Sequence, residues 1–377
     1  MILPAPVLVT DSDGLDLCVD ACLATDAIAV DTEFVRTDTF YPLLGLIQIS
    51  DGEQVWLVDP LAIEDFGPLE TLFSCPSVVK VFHSCSEDLE VLRHQLGLLP
   101  SPLFDTQVAA AFLGHGYSRG YSALMATVLD IHLDKHETRS DWLRRPLSDA
   151  QLLYAAEDVY FLIKAYRKLV TGLEDSGRSQ WMAEDMADLL AAAMDPETPD
   201  TYYQRVKGSW KLSRDELALL RDLTSWRERE ARLKNRPRNR IVPDQVFLDL
   251  LRLKPARVGE LGKVEGFHTG AVRRYGEAVL DILHGEPDTQ DLELPAAPLD
   301  KSAKSALARV RQRLDSKAEA LAMAVELLAR KKDLEDLVRS SLRGAPVLPE
   351  RLARGWRREV IGEGLLDALT EGADHGR

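Results

Sequence analysis

The stretch Ile28-Ala29-Val30-Asp31-Thr32-Glu33-Phe34 is an apolar run that ends in two acids, and it carries the first sign of chemistry in the chain. An apolar run of this length, bounded by polar residues, reads as a buried strand. Asp31 and Glu33 stand at i and i+2, so on a strand both point to one face. Paired carboxylates repel and lose solvation unless something cancels their charge. A divalent cation does so, and hard oxygen ligands suit Mg²⁺ or Mn²⁺. The plainer alternative is a strand end whose acids simply reach solvent.

Two more stretches add candidates. In Phe82-His83-Ser84-Cys85-Ser86-Glu87-Asp88-Leu89, Asp88 falls in the first turn of a helix that follows a parallel strand. That is the strand end where α/β sheets place their sites, although a first-turn acid also suits the helix dipole. In Tyr154-Ala155-Ala156-Glu157-Asp158, Tyr154 and Asp158 are i and i+4 on a helix and share a face. Ala155 and Ala156 are small enough to let that helix approach a sheet. The alternative here is a surface tyrosine and acid on an amphipathic helix.

Patterning predicts a helix over 16–25 and strands over 28–34, 44–50 and 55–59, with Asp51-Gly52 as a hairpin turn. These strands form an antiparallel meander. Helices at 68–73, 86–96 and 106–113 then alternate with strands at 78–82 and 103–105, which implies parallel additions to a mixed sheet with 28–34 at its centre. A helix follows at 121–129, and Ser148 caps a long one running towards Leu169. Gly114-His115-Gly116 with Gly120 lacks the spacing of a nucleotide loop and follows a helix, so it reads as a mobile loop. After a connecting helix at 181–194 and a Pro-punctuated linker, helical periodicity dominates at 215–233, 244–253, 258–261 and 268–283. An acidic linker at 285–298 precedes a last helical region, 301–377.

With 377 residues, the chain has room for two or three domains. A net charge of −15 argues against a surface coated for non-specific nucleic-acid binding, so any such surface is local. Residues 1–13 lack a basic flank and do not read as a signal peptide. The apolar stretch 321–328 is short and holds Glu326, so no segment reads as membrane-spanning. Cys18, Cys22, Cys75 and Cys85 form no zinc-binding pattern and read as reduced thiols of a cytoplasmic protein.

Together the acids and the tyrosine resemble the tyrosine-containing branch of the DEDD exonuclease superfamily. The spelling is similar to the ribonuclease D family in Val30 through Arg36 with Tyr41-Pro42, in Leu44-Gly45-Leu46-Ile47-Gln48, in His83 through Leu92, in Leu133-Asp134-Lys135, in Ser140-Asp141-Trp142 and in Tyr154 through Asp158. The resemblance covers 30–169 and continues through helical modules similar to the helicase-and-RNase-D C-terminal (HRDC) type. It implies an α/β ribonuclease-H-like mixed sheet followed by two small all-α HRDC-type domains. The corresponding division is an exonuclease domain at 1–172, a connecting helix and linker at 173–208, and helical domains at 209–290 and 297–377. It further implies two-metal-ion hydrolysis of RNA from the 3′ end, release of 5′-mononucleotides and trimming of precursor tRNAs.

Residue by residue, the resemblance makes Asp31, Glu33, Asp88 and Asp158 the acids for two divalent ions, Mg²⁺ or Mn²⁺, and Tyr154 the residue that orients water. Four carboxylates balance two dications. A phenol with a pKa near ~10 is a poor base, so Tyr154 is first a positioner. Phe34 would stack on the terminal base or belong to the core. Gln48, His83 and Arg139 would contact sugar or phosphate, or serve as structural polar groups. The run from Arg227 to Arg240 is the densest positive patch, and its acid-free part, with Lys234, Arg236 and Arg238, suits phosphate contacts. The expected partner is RNA, notably tRNA precursors with 3′ extensions, with no membrane, no obligate protein partner and a monomeric state. A DNA 3′–5′ exonuclease and a non-catalytic RNA-binding scaffold on the same fold are the competing readings.

Overall fold

The computed structural model describes residues 3–133, 140–195 and 198–370. They fall into two compact units, one formed by 1–35, 43–194 and 299–377, the other by 36–42 and 195–298.

The first unit is built on one sheet. Its strands are β1 (Val7–Val9), β2 (Ala27–Val35), β3 (Leu43–Ser50), β4 (Val55–Val58), β5 (Val79–Phe82) and β6 (Leu103–Asp105). They lie in the order β1-β4-β3-β2-β5-β6. β2 pairs antiparallel with β3 and β3 with β4, while β5 joins β2, β6 joins β5, and β1 joins β4, all in parallel. The meander and the interior place of β2 agree with the sequence pattern. β1 escaped it. Three residues are too few to show alternation, and Val7 and Leu8 are exposed on the sheet's edge.

Up to residue 194 the helices of this unit are α1 (Ser12–Leu23), α2 (Gly67–Ser74), α3 (Ser86–Leu96), α4 (Thr106–Phe112), α5 (Tyr121–Leu129), α6 (Asp149–Tyr160), α7 (Leu162–Asp175) and α8 (Ser179–Met194), and further helices follow between Lys301 and Thr370. The sequence suggests one long helix from Ser148; it is divided at Phe161 into α6 and α7. Among the described residues no helix is long and apolar enough to cross a membrane.

Residues 297–377, expected as a body of their own, instead share the unit of the sheet from Leu299 onward. The cause is an aromatic and ionic anchor. Trp356 is 2% exposed, stacks on Trp181 of α8 at 4.9 Å and lies 5.5 Å from the Phe112 ring. Arg357 grips Asp185 through two bonds of 2.6 Å, and Arg178 donates to the carbonyls of Phe112 and Leu321. A buried Trp between two other aromatics is worth more than helical patterning reveals.

The second unit holds α9 (Arg214–Leu233), α10 (Arg238–Ile241), α11 (Asp244–Leu253), α12 (Val258–Leu261) and α13 (Thr269–Leu283). Ser213 and Glu216 close a capping box at the start of α9. The segment 36–42, which joins β2 to β3, belongs to this unit. Phe40 enters its apolar core, and Asn235, held at φ 44°, accepts the backbone N–H groups of Phe40 and Tyr41 at 3.0 and 2.9 Å. Asparagine tolerates that left-handed backbone better than most residues.

Candidate active site

Strand parity and helix packing assemble the acids. Asp31 and Glu33 leave β2 on one face, and α6 packs there. A Ser148–Gln151 capping box starts α6, and the fully buried Ala155 and Ala156 let it lie close. Asp158 then meets the pair: Asp31, Glu33 and Asp158 each place a carboxylate oxygen within 4.8 Å of the others.

Asp88 approaches from elsewhere. Thr32, between the two acids of β2, points to the opposite face, and its hydroxyl donates to the Asp88 carboxylate at 2.5 Å. Asp88 is not among the three acids that converge within 4.8 Å. It is near enough for its charge to raise the Asp31 and Glu33 carboxyls.

Burial first, and mutual repulsion second, hold these carboxyls far above the ordinary range. Asp31 is raised by burial and by the charges of Asp88, Asp158 and Glu33. Glu33 is pushed up to about 9 by burial and by Asp158 and Asp88. Burial brings Asp88 and Asp158 to about 7 each, against the lowering effect of hydrogen bonds from Thr32 and Tyr154 respectively. A cluster that must keep protons to stay together is a cluster that a hard cation would relieve. The donor set, oxygen atoms only, fits Mg²⁺ or Mn²⁺.

Tyr154 stands one helical turn before Asp158, and its hydroxyl is hydrogen-bonded to that carboxylate. Burial, then the charges of Asp158 and Glu33, raise the phenol above its usual value, so it keeps its proton. The Trp142 ring lies 6.1 Å from the Tyr154 ring. The loop carrying Trp142 is fastened to the sheet by Arg145, which grips Asp59 through two 2.6 Å bonds and donates to the carbonyls of Gly45 and Trp142 at 2.6 and 2.8 Å.

Gly45 makes that close approach possible. A Cβ there would stand 2.7 Å from the Trp142 carbonyl oxygen and 2.8 Å from its Cβ. Gly45→Ala should therefore cost about 1–3 kcal/mol of stability, as overpacking does, and slow turnover by shifting Trp142 away from Tyr154. Thermal unfolding and single-turnover rates check this. Unchanged values for both would mean that the loop yields without consequence.

Sequence reasoning missed Asp105. Its buried carboxylate accepts the N–H groups of Ser84 (3.0 Å), Cys85 (2.9 Å) and Gln107 (2.8 Å). It caps α4 and fixes the turn, with Ser84 at φ 64°, that launches α3 and Asp88. The signal was present as an acid at a strand-to-helix junction, but the tie to Ser84 and Cys85 is a tertiary one.

The remaining candidates divide. Phe34 is half-buried and packs on the sheet's core. His83 has both ring nitrogens engaged, by the Thr106 hydroxyl and the Arg119 carbonyl, each at 2.9 Å, which is the structural alternative. Gln48 is fully buried. Arg139 lies outside the described residues. In the second unit, Arg238 is bound to Glu228, a carboxylate only 1% exposed that also holds Arg232 at 2.7 Å. Lys234 pairs with Glu230 at 2.5 Å and sits 4.6 Å over the Tyr275 ring. With Asp38, Asn235, Arg236 and Arg240 it lines a cleft of about 300 Å³.

A family model described as a 3′–5′ exonuclease matches residues 6–174, and one for the HRDC domain matches 216–283. The chain is 46% identical over 346 residues to ribonuclease D of Pseudomonas paraeruginosa, covering 91% of this chain and 92% of that one. The chain belongs to the ribonuclease D family. Ribonuclease D of Escherichia coli K12 is 34% identical, with 97% of this chain and 98% of that one covered. The crystal structure of E. coli RNase D, described as an exoribonuclease involved in structured RNA processing, superposes with a TM-score of 0.87 over 97% of this chain and 99% of that one. As a ribonuclease D, the chain is a 3′–5′ exoribonuclease with an α/β catalytic region and an HRDC domain. The fold implies divalent cations, and the acidic cluster is where the residues suit them.

Proposed function

We propose that this ribonuclease D trims the 3′ ends of structured RNAs, notably precursor tRNAs with 3′ extensions, and releases 5′-mononucleotides in the cytoplasm as a monomer. The observation that carries the reading is the convergence of Asp31, Glu33 and Asp158 on one face with the Tyr154 hydroxyl beside them. When bound, two divalent cations, Mg²⁺ or Mn²⁺, would stabilise the entering and leaving oxygens of an in-line displacement. Asp31, Glu33 and Asp158 would hold them, with Asp88 joining from the α3 side on leaving Thr32. Tyr154, which keeps its proton, would orient the attacking water by hydrogen bonding. Phe34 would stack on the terminal base.

Cation-dependent release of mononucleotides from labelled RNA and DNA tests the activity. Release from RNA with the chain shortening from its 3′ end is expected. Equal release from DNA would favour the broader nuclease, and none from either a scaffold.

RNA would be held largely by the second unit, at the cleft lined by Lys234, Arg236 and Arg240. Arg238 is a poor probe, because its loss would leave the buried Glu228 under-compensated. Replacing Lys234 and Arg236 by alanine should lower the salt dependence of tRNA binding by about one unit of slope per lost phosphate contact. Dinucleotide turnover should be unchanged. A salt series of binding constants checks it, and an unaltered slope would make the patch an ordinary solvated face.

A further inference from the structure

Gln48 lies in the middle of β3, fully buried, and neither its amide nitrogen nor its amide oxygen has a hydrogen-bond partner. Buried side-chain amides are nearly always paired, and a bare one is costly. Its place in the sheet is specific. Gln48 stands directly opposite Asp31 across the β2–β3 ladder, so both side chains rise from the same face, under α6. On its other side the register partner is Leu57, which offers nothing polar. Asp31 is thus the polar side chain that the sheet places directly across from this amide.

We infer that Gln48 is a positioning residue for Asp31: its buried, unpartnered amide stands directly across the ladder from Asp31 and is the group that orients the Asp31 carboxylate toward a divalent cation. The inference rests on the cation reading of the three-acid cluster. In the cation-free protein the amide finds no partner. In that role the amide N–H would donate to the Asp31 carboxylate, which would help to hold the cation. Full burial separates this role from a direct contact with RNA, which a residue without exposed surface cannot make. Partners that orient a metal-binding side chain typically carry 10–100-fold of metal affinity.

The test is Mn²⁺ binding by calorimetry, with thermal unfolding with and without Mn²⁺, on the parent, Gln48→Met and Asp31→Asn. Methionine keeps length and volume but removes the bare polar atoms, so the cation-free variant should unfold at the same temperature as the parent or higher. Its Mn²⁺ affinity should fall about 10-fold or more, and its kcat should fall with KM for RNA unmoved. Loss of cation-free stability with unchanged Mn²⁺ affinity would overturn the inference and leave Gln48 a structural group bonded to buried water. A raised KM with unchanged Mn²⁺ affinity would overturn it in favour of a substrate contact. A parent whose Mn²⁺ binding survives Asp31→Asn would instead overturn the cation reading itself. Should Gln48→Met fail to fold, the side-chain amide signal of Gln48, assigned by its disappearance in Gln48→Asn, gives the same answer by NMR. It should move on adding Mg²⁺ to the parent, and a static signal would overturn the inference.

Discussion

Asp31→Asn is expected to lower RNA cleavage by ~10³-fold or more, the scale of losing a principal electrostatic stabiliser of a transition state, while leaving the cation-free protein as stable as the parent or more so. Both halves come from one cause. Asp31 is raised by burial and by the charges of Asp88, Asp158 and Glu33. An amide of the same shape removes one member of that repulsive set, and with it one ligand for the cations. The sign of the pH dependence follows. Carboxyls whose folded-state pKa stands above the unfolded value keep protons that the unfolded chain has released, so stability is present at low pH and is lost as pH rises. For this cluster the window runs from the ordinary carboxylate range, near ~4, through about 7 for Asp88 and Asp158 to about 9 for Glu33. The melting temperature of the cation-free parent should fall across that window, and Asp31→Asn should flatten the fall. Mg²⁺ should restore the parent at pH 8 and do much less for the variant. A variant that melts lower than the parent at pH 8 without cation would show that Asp31 is a structural acid, and near-normal turnover would remove it from the site.

The sequence made the acid-bearing strand legible because two simple periodicities coincide there. Period two puts Asp31 and Glu33 on one face, and the four-residue spacing on α6 puts Tyr154 and Asp158 on another. The same parity argument, carried one residue further, turns Thr32 away from Asp31 and Glu33, which leaves its hydroxyl to hold Asp88. What stayed hidden depends on contacts remote in sequence. Trp356 meets Trp181 and Phe112, which binds the C-terminal helices to the sheet unit. Arg238 is spent on a buried Glu228 that reads, in sequence, as an ordinary helical acid. Gly45 looks like a weak point in a strand until Trp142 is seen resting on it.

Tyr154→Phe is the second substitution with a large expected effect. It removes one oxygen and keeps the ring, so the packing on Trp142 should persist. Two roles for the hydroxyl are separable by charge. A general base would need the phenol to lose its proton, yet burial and then the charges of Asp158 and Glu33 hold that proton on. A protonated phenol donates, and Asp158 is the acceptor in the cation-free protein. In the proposed mechanism cations would engage that carboxylate, and the hydroxyl would then be free to orient the water that attacks phosphorus. Loss of such a positioned group should lower kcat by ~10²-fold, the low end for a group that handles a proton in the transition state. KM should hardly change, because phosphate and cations hold the RNA. Mn²⁺ affinity should also stay within a small factor, since the phenol is not among the acids. Single-turnover rates across pH distinguish the roles further. Loss of a positioner lowers the whole profile without changing its shape, whereas loss of a base would remove its rising limb. An increase in KM at constant kcat would instead assign Tyr154 to substrate binding.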